Sequence, residues 1–98
     1  MSVAHMVWIK FDSSVSQETI DEHIQRLSSL KETVPGILEL TLGENFTDRA
    51  NGCTHGLLVV VEDKEALAAY AAHPDHVAVA SALLEDATLM ALDYEYAA

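Results

Sequence analysis

The chain has 98 residues, half of them hydrophobic, and its 16 acidic and five basic side chains give a formal net charge of −11 at pH 7. This length predicts one domain over residues 1–98, with enough apolar side chains for a core. Nucleic acids and anionic membranes attract basic faces, so we expect neither as a partner. We predict no signal peptide or membrane span. The single cysteine, Cys53, cannot form an intrachain disulfide, which favours a cytoplasmic location and a small buried role for the thiol.

The chain begins with a predicted strand and a long helix. Residues 3–11 are rich in β-branched and aromatic side chains, which favour a strand. Ser16 is suited to cap a helix, and Val15 and Ile20 have the spacing of a hydrophobic staple around that cap. Pro35-Gly36 ends the predicted helix. Its apolar positions at helical spacing are Ile20, Ile24, Leu27, Leu30 or Lys31, and Val34.

The next two predicted strands are separated by a polar loop over residues 44–52. Ile37 to Leu42 predicts the second strand, and Thr54 to Glu62 predicts the third. In the second strand one face carries Leu38, Leu40 and Leu42. In the third, His55, Leu57, Val59 and Val61 form one face, and Gly56, Leu58 and Val60 form the other. A strand with one wet face alternates polar and apolar residues, so both faces of this strand must be covered.

A proline divides the last helical region of the chain. Asp63 predicts the cap of a helix from Lys64 to about Ala72. Pro74 cannot continue that helix but can begin another, predicted over residues 74–85 and followed by a strand over residues 89–96. Tyr70 therefore falls in the last turn of one helix and His76 in the first turn of the next. Their polar groups can converge on one cavity.

The element order β-α-β-β-α-β predicts an α+β fold of the ferredoxin-like type. Its helices cover only one face of an antiparallel sheet. The apolar second face of the sheet would then be exposed to water, and large exposed apolar patches are typical of interfaces. We therefore predict a homodimer in which two sheets pack face to face around a two-fold axis.

Six short motifs occur in a specific order across the chain. They are residues 5–11 (His-Met-Val-Trp-Ile-Lys-Phe), residues 30–36 ending in Val-Pro-Gly, Gly43, Thr54-His55, Tyr70 through His76, and Asp93-Tyr94. Together they resemble the stress-responsive A/B barrel domain family over nearly the whole chain. The resemblance implies a ferredoxin-like subunit in a dimeric α+β barrel. Most members have no assigned reaction, but a plant member cyclises a linear polyketide thioester by an intramolecular aldol condensation.

The resemblance to that cyclase implies a role for four residues of this chain. His76 matches the general base, Tyr70 matches its partner tyrosine, and His5 and His55 match substrate-binding positions. An aldol condensation needs a base beside a carbonyl and a donor for the developing oxyanion. We therefore expect an apolar pocket for a small carbonyl compound, and a cyclase or lyase type of reaction without cofactor or metal.

Other interpretations of the same residues stay open. Tyr70 can be packed only by its ring, and His76 can satisfy backbone groups at the helix break. His5 and His55 can be histidines whose hydrogen bonds are satisfied within the core. His73, at the end of its helix, is predicted to be a structural cap. A metal site would combine His73 with His76, but the proline between them need not leave both on one face. A non-enzymatic stress-responsive or ligand-binding barrel is the alternative function.

Overall fold

The computed structural model describes residues 1–97 and has four strands and three helices in this range. They are β1 (Ser2–Phe11), α1 (Gln17–Thr33), β2 (Ile37–Glu44), β3 (His55–Val61), α2 (Lys64–Ala72), α3 (Pro74–Asp86) and β4 (Ala87–Tyr96). The strands form one antiparallel sheet in the order β2-β3-β1-β4. This confirms the ferredoxin-like α+β fold. Within the described range, no helix has the length and apolarity needed to cross a membrane.

The core lies between the helices and one face of the sheet. Its strand residues include Val7, Ile9 and Phe11 of β1, and Ile9 and Val59 are completely buried. The helices contribute Leu27 and Leu30 from α1, Tyr70 from α2 and Leu83 from α3. Burial of one such aliphatic side chain contributes about 1.5–3 kcal/mol to folding. The core therefore fixes the helices over the strand faces that carry the histidines.

Helix α1 begins as predicted. The Ser16 hydroxyl accepts a hydrogen bond from the Thr19 backbone N–H at 3.2 Å, which satisfies one of the free donors of the first turn. At the other end of the apolar stripe Leu30 is buried and Lys31 is exposed. The apolar stripe therefore passes through Leu30 rather than Lys31. It also includes one buried side chain that we did not predict, His23.

Replacing Ser16 with alanine should lower the free energy of unfolding by about 1 kcal/mol, because the cap of α1 is lost. The urea midpoint measures this change. Ser28→Ala is the matched control, since the Ser28 hydroxyl only donates to the Ile24 carbonyl within the same helix. Alanine favours helix, so this control should keep or raise the midpoint. Equal midpoints for Ser16→Ala and the parent would contradict the cap.

A bulge in β2 overturns one predicted orientation. Ile37 pairs with Val61 and Glu39 pairs with the adjacent Val60, so Leu38 is an extra residue in the ladder. Leu38 is 57% exposed, whereas Ile37 packs against the core. The prediction that Leu38 shares a face with Leu40 and Leu42 was therefore wrong. Side chains of a strand alternate between its two faces, so one inserted residue reverses which positions on either side of it share a face.

The ends of some elements also differ from the predictions. β2 continues to Glu44, and β4 already begins at Ala87, where it pairs with Phe11 of β1. This pairing across the sheet extends β4 beyond what its own residues indicate. Cys53 is buried, as predicted for a small core residue, in the loop before β3.

The sheet face away from the helices exposes a set of large apolar side chains, which we call the open face. They are the exposed Trp8, Met90, Leu92 and Tyr94, together with the half-buried Met6 and Leu58. A groove of about 250 Å³ lies among Met6, Trp8 and the β4 residues Met90 to Leu92. All three helices of the described chain pack on the opposite face, so this face has the apolar surface that we predicted from β3.

Candidate functional site

The junction between α2 and α3 brings Tyr70 and His76 together. His73 ends α2 and caps α3, and its Nδ1 accepts a hydrogen bond from the Asp75 backbone N–H at 3.1 Å. Pro74 is the first residue of α3, so the chain turns sharply. The ring centroids of Tyr70 and His76 are consequently only 4.5 Å apart. His73 is a structural cap as predicted, and its ring accepts from the first turn of α3.

The hydrogen bond of His76 determines which ring nitrogen can act as a base. Its Nδ1 lies 3.0 Å from the Ala71 carbonyl oxygen, which can only accept. Nδ1 therefore carries the hydrogen, and Nε2 of the neutral ring keeps its lone pair. Burial lowers the pKa of His76, the bond to Ala71 opposes this, and His5 and His73 lower it further. Nε2 is thus ready to accept a proton at neutral pH.

Tyr70 provides a hydroxyl that stays protonated. Its side chain is 2% exposed, and burial raises its pKa to about 12, because the phenolate would lose its hydration. At neutral pH the phenol is therefore a hydrogen-bond donor beside the His76 ring. A donor and a base in contact are the two groups that an enolate-forming reaction uses.

His5 adds a third polar ring to this group. Its ring centroid lies 5.8 Å from that of Tyr70 in an edge-to-face arrangement. Its Nδ1 is hydrogen-bonded to the carboxylate of Asp93, which is directly opposite in β4. The carboxylate only accepts, so it holds the proton on Nδ1 and leaves Nε2 as the acceptor. We had noted Asp93 only as part of a motif; its position opposite His5 depends on strand pairing.

His55 lies apart from these three residues. His5 is opposite Val59, whereas His55 is opposite Ile9, so four residues of strand separate the two histidines. At 3.3–3.4 Å per residue this is roughly 13 Å. His55 instead packs on Phe11, with ring centroids 5.3 Å apart. The structure therefore brings together His5, Tyr70 and His76, and it places His55 at the other end of the helix-covered face.

His23 is a buried histidine that we missed in the sequence. It is 5% exposed, and its Nε2 lies 2.7 Å from a carboxylate oxygen of Asp86 at the end of α3. Its position three residues after Ile20 and four before Leu27, on the apolar stripe of α1, is the signal that could have revealed it. Among residues 1–97 no group of three or more His, Cys, Asp or Glu side chains is arranged to hold a metal ion.

His76 should titrate below the usual histidine pKa of about 6.5, because its ring is partly buried and its charged form loses hydration. Between the folded and unfolded pKa values the unfolded chain binds more protons, so the free energy of unfolding should fall as the pH drops through this interval. NMR titration of the ring protons measures the pKa, and His76→Gln identifies the resonance. A midpoint at or above the usual value would contradict the lowering of the His76 pKa by burial.

The chain matches known proteins over most of its length. The family model described as "Stress responsive A/B Barrel Domain" matches residues 3–96. Olivetolic acid cyclase from Cannabis sativa is 27% identical over 79% of this chain and 78% of the cyclase. The stress-response A/B barrel domain-containing protein HS1 from Arabidopsis thaliana is 30% identical over 95% of this chain and 88% of that protein.

Solved structures confirm the fold. A hydroxynitrile lyase from Passiflora edulis has a TM-score of 0.89 and 23% identity, covering 95% of this chain and 91% of the lyase. A protein from Thermobifida fusca described as dimeric and ferredoxin-like has a TM-score of 0.86 and 18% identity, covering 98% and 92% of the two chains. Since the family model spans nearly all of the described residues, this chain belongs to the stress-responsive A/B barrel domain family.

Proposed function

We propose that this chain forms a homodimeric barrel enzyme in which His76 and Tyr70 transfer a proton on a small, largely apolar carbonyl compound. One observation carries the proposal: the bond from His76 Nδ1 to the Ala71 carbonyl leaves Nε2 with its lone pair, in a ring whose centroid lies 4.5 Å from that of the buried Tyr70. Burial keeps the histidine a base and the tyrosine a donor, because it lowers the pKa of His76 and raises that of Tyr70.

The proposed chemistry is of the cyclase or lyase type. In a cyclisation, His76 Nε2 takes a proton from a carbon next to a carbonyl group, and the resulting enolate carbon attacks a second carbonyl of the same molecule. The Tyr70 hydroxyl donates to the oxygen that gains negative charge. The proton on Nε2 then returns to the new alkoxide, so the base is regenerated. In the lyase direction, His76 Nε2 removes the hydroxyl proton of a β-hydroxy carbonyl compound, and the new carbonyl forms as the carbon–carbon bond breaks. The released enolate carbon takes the electron pair and then the proton from Nε2, so the base is regenerated.

The neighbouring histidines would bind the substrate. Asp93 holds His5 as an acceptor through Nε2, which suits a hydroxyl group next to the reacting carbonyl. His55 would contact the distant part of a long substrate, because it lies at the other end of the same sheet face. The similarity to olivetolic acid cyclase, an enzyme named for its cyclisation reaction, supports this class of chemistry.

The proposed dimer covers the open face. Four large apolar side chains of this face would otherwise be exposed to water, and a two-fold axis over the sheet buries the same patch on both subunits. The dimeric description of the Thermobifida fusca protein, which has the same fold, supports this assembly.

Exchange of carbon-bound protons tests the proposed function directly. The protein would be incubated in D₂O with a panel of methyl ketones and β-diketones, and NMR would follow the loss of the signal next to the carbonyl. We expect faster exchange with the parent than with His76→Gln for at least one compound. If the parent and His76→Gln exchange every compound of the panel at the same rate, the proposal is contradicted.

A binding protein without turnover is the second candidate. The Arabidopsis relative that spans most of this chain has a name that refers to stress response and states no reaction. The two candidates differ in whether a bound carbonyl compound reacts, and in whether His76→Gln slows that reaction. A binding protein would retain any ligand affinity and show no reaction in either form.

A further inference from the structure

We infer that two copies of this chain lock together through a knob and a notch on the open face, with Trp8 of each copy packed against Gly43 and Gly56 of the other. We call the surface over these two residues the glycine notch. The inference rests on the dimer of the proposed function but not on the proposed reaction. It adds the orientation of the two subunits and the side chain that anchors them.

The two glycines have no role within the subunit itself. Gly43 and Gly56 lie directly opposite each other in β2 and β3, and glycine within a strand weakens a sheet. Neither has a positive φ, and a Cβ added at either position would meet no heavy atom within 4 Å beyond its chain neighbours. A strand position without a side chain is also typical of close approach by another molecule. The missing side chains therefore indicate a contact from outside the subunit.

A large exposed side chain lies next to this notch. A hollow of about 360 Å³ extends over Gly43 and Gly56 and is bordered by Trp8 and Leu58. Trp8 is directly opposite Gly56 in β1 and is 42% exposed. Its ring does not cover its own notch, because no atom lies near the Cβ position of Gly56. The open face thus presents a knob and a notch side by side.

A two-fold axis along the strands, between β1 and β3, joins each knob to a notch. These strands are the inner pair of the sheet, so each lies about 2.4 Å from the axis, where sheet twist displaces them least. The rotation places β1 over β3 of the other copy at the same height, and β4 over β2. Trp8 then faces Gly56 of the partner subunit, and Met90, in the same row, faces Gly43 of the partner subunit.

The same rotation also matches another row of the open face. This row crosses all four strands and consists of Glu39, Val60, Ala4 and Tyr94. The small Ala4 then faces Val60 of the partner subunit, and the Tyr94 hydroxyl can donate to the carboxylate of Glu39 of the partner subunit. Stacked sheets lie about 10 Å apart, so they pack well when large side chains face small ones. The face is therefore complementary to itself.

Charge favours a second copy as the molecule that covers this face. Each chain has a formal charge of −11, so two copies repel each other through most of their surface. The four strands place two charged side chains on the open face, Lys10 and Glu39, whose charges cancel. Two acidic subunits can therefore meet on this face without bringing like charges together.

Fluorescence tests the contact directly, because Trp8 is the single tryptophan of the chain. We expect the dimer to emit at short wavelength and to resist quenching by acrylamide. Dilution should shift the emission to longer wavelength and increase the quenching, in step with the loss of mass in light scattering. A dimer whose Trp8 is quenched as easily as that of the monomer would overturn the inference and leave the proposed dimer intact. A parent that is monomeric at micromolar concentration would contradict both.

Two variants show whether the knob enters the notch of the other copy. Trp8→Ala removes the knob, and Gly56→Val fills the notch without a clash inside the subunit. Each alone should raise the Kd of the dimer by about tenfold or more, as for a central aromatic anchor. His76→Gln should leave this Kd unchanged.

A mixture of the two variants provides the matched comparison. The Trp8→Ala subunit still offers its notch to Trp8 of the Gly56→Val subunit, so one of the two contacts is kept in the mixed dimer. Native mass spectrometry should therefore find more mixed dimer than random pairing gives. Random pairing, or an unchanged Kd in both single variants, would overturn the inference. An unreactive protein that forms this mixed dimer would contradict only the proposed reaction.

Discussion

Replacing His76 with glutamine is expected to slow any proton transfer that this protein catalyses by about 10²- to 10⁴-fold, the usual contribution of a general base. Glutamine has a similar length and polarity but cannot take a proton near neutral pH. The measurement is kcat/KM for a compound identified by proton exchange. His73→Gln is the matched control. It makes the same change three residues away, at a cap that points to the Asp75 backbone, so it should affect stability and spare the rate.

Tyr70→Phe should lower the same rate by roughly 10²- to 10³-fold, because one donor to the oxyanion is lost while the ring keeps its packing. Since the two residues act on one transition state, the double variant should lose much less than the product of the two single effects. Unchanged kcat/KM in both single variants would contradict the catalytic pair.

The pH dependence of the reaction follows from the same two groups. The rate should rise with pH through the lowered pKa of His76, because only the neutral ring can accept a proton. It should then stay level through neutrality, since the Tyr70 phenol keeps its hydrogen until the pH approaches its pKa of about 12. If the rate instead falls as the pH is raised from just above the His76 pKa to neutrality, the base is another group.

Leu92→Asp is expected to convert the protein from a dimer of twice 10.7 kDa to a monomer of 10.7 kDa. Leu92 is 62% exposed on the open face, in the edge strand β4, so the subunit itself tolerates the change. In a face-to-face dimer, however, the new carboxylate would be buried without a partner, which costs several kcal/mol per subunit. Light scattering at micromolar concentration measures the mass.

Leu84→Asp provides the control for that experiment. Leu84 is 60% exposed, nearly as much as Leu92, but it lies on α3 in the helix layer. It should leave the dimer intact. A parent protein that is monomeric at micromolar concentration, or a Leu92→Asp variant that remains dimeric, would exclude the sheet-to-sheet assembly.

The sequence by itself determined the local elements of this protein and the proximity of Tyr70 to His76. The caps at Ser16 and Asp63 satisfy donors within their own first turns, so their effect is readable from neighbouring residues. Tyr70 and His76 flank one helix break, and a proline at that position forces the turn that joins them. The family resemblance added the expected roles for these two side chains.

Only the tertiary structure decided which distant residues meet. His5 and Asp93 are 88 residues apart, and His23 and Asp86 are 63 apart, so each contact depends on the pairing or packing of separate elements. The bulge at Leu38 and the separation of His55 from His5 are likewise set by strand register. Local propensity and spacing determine whether a segment is a strand, but the register with its neighbours determines which side chains lie opposite one another.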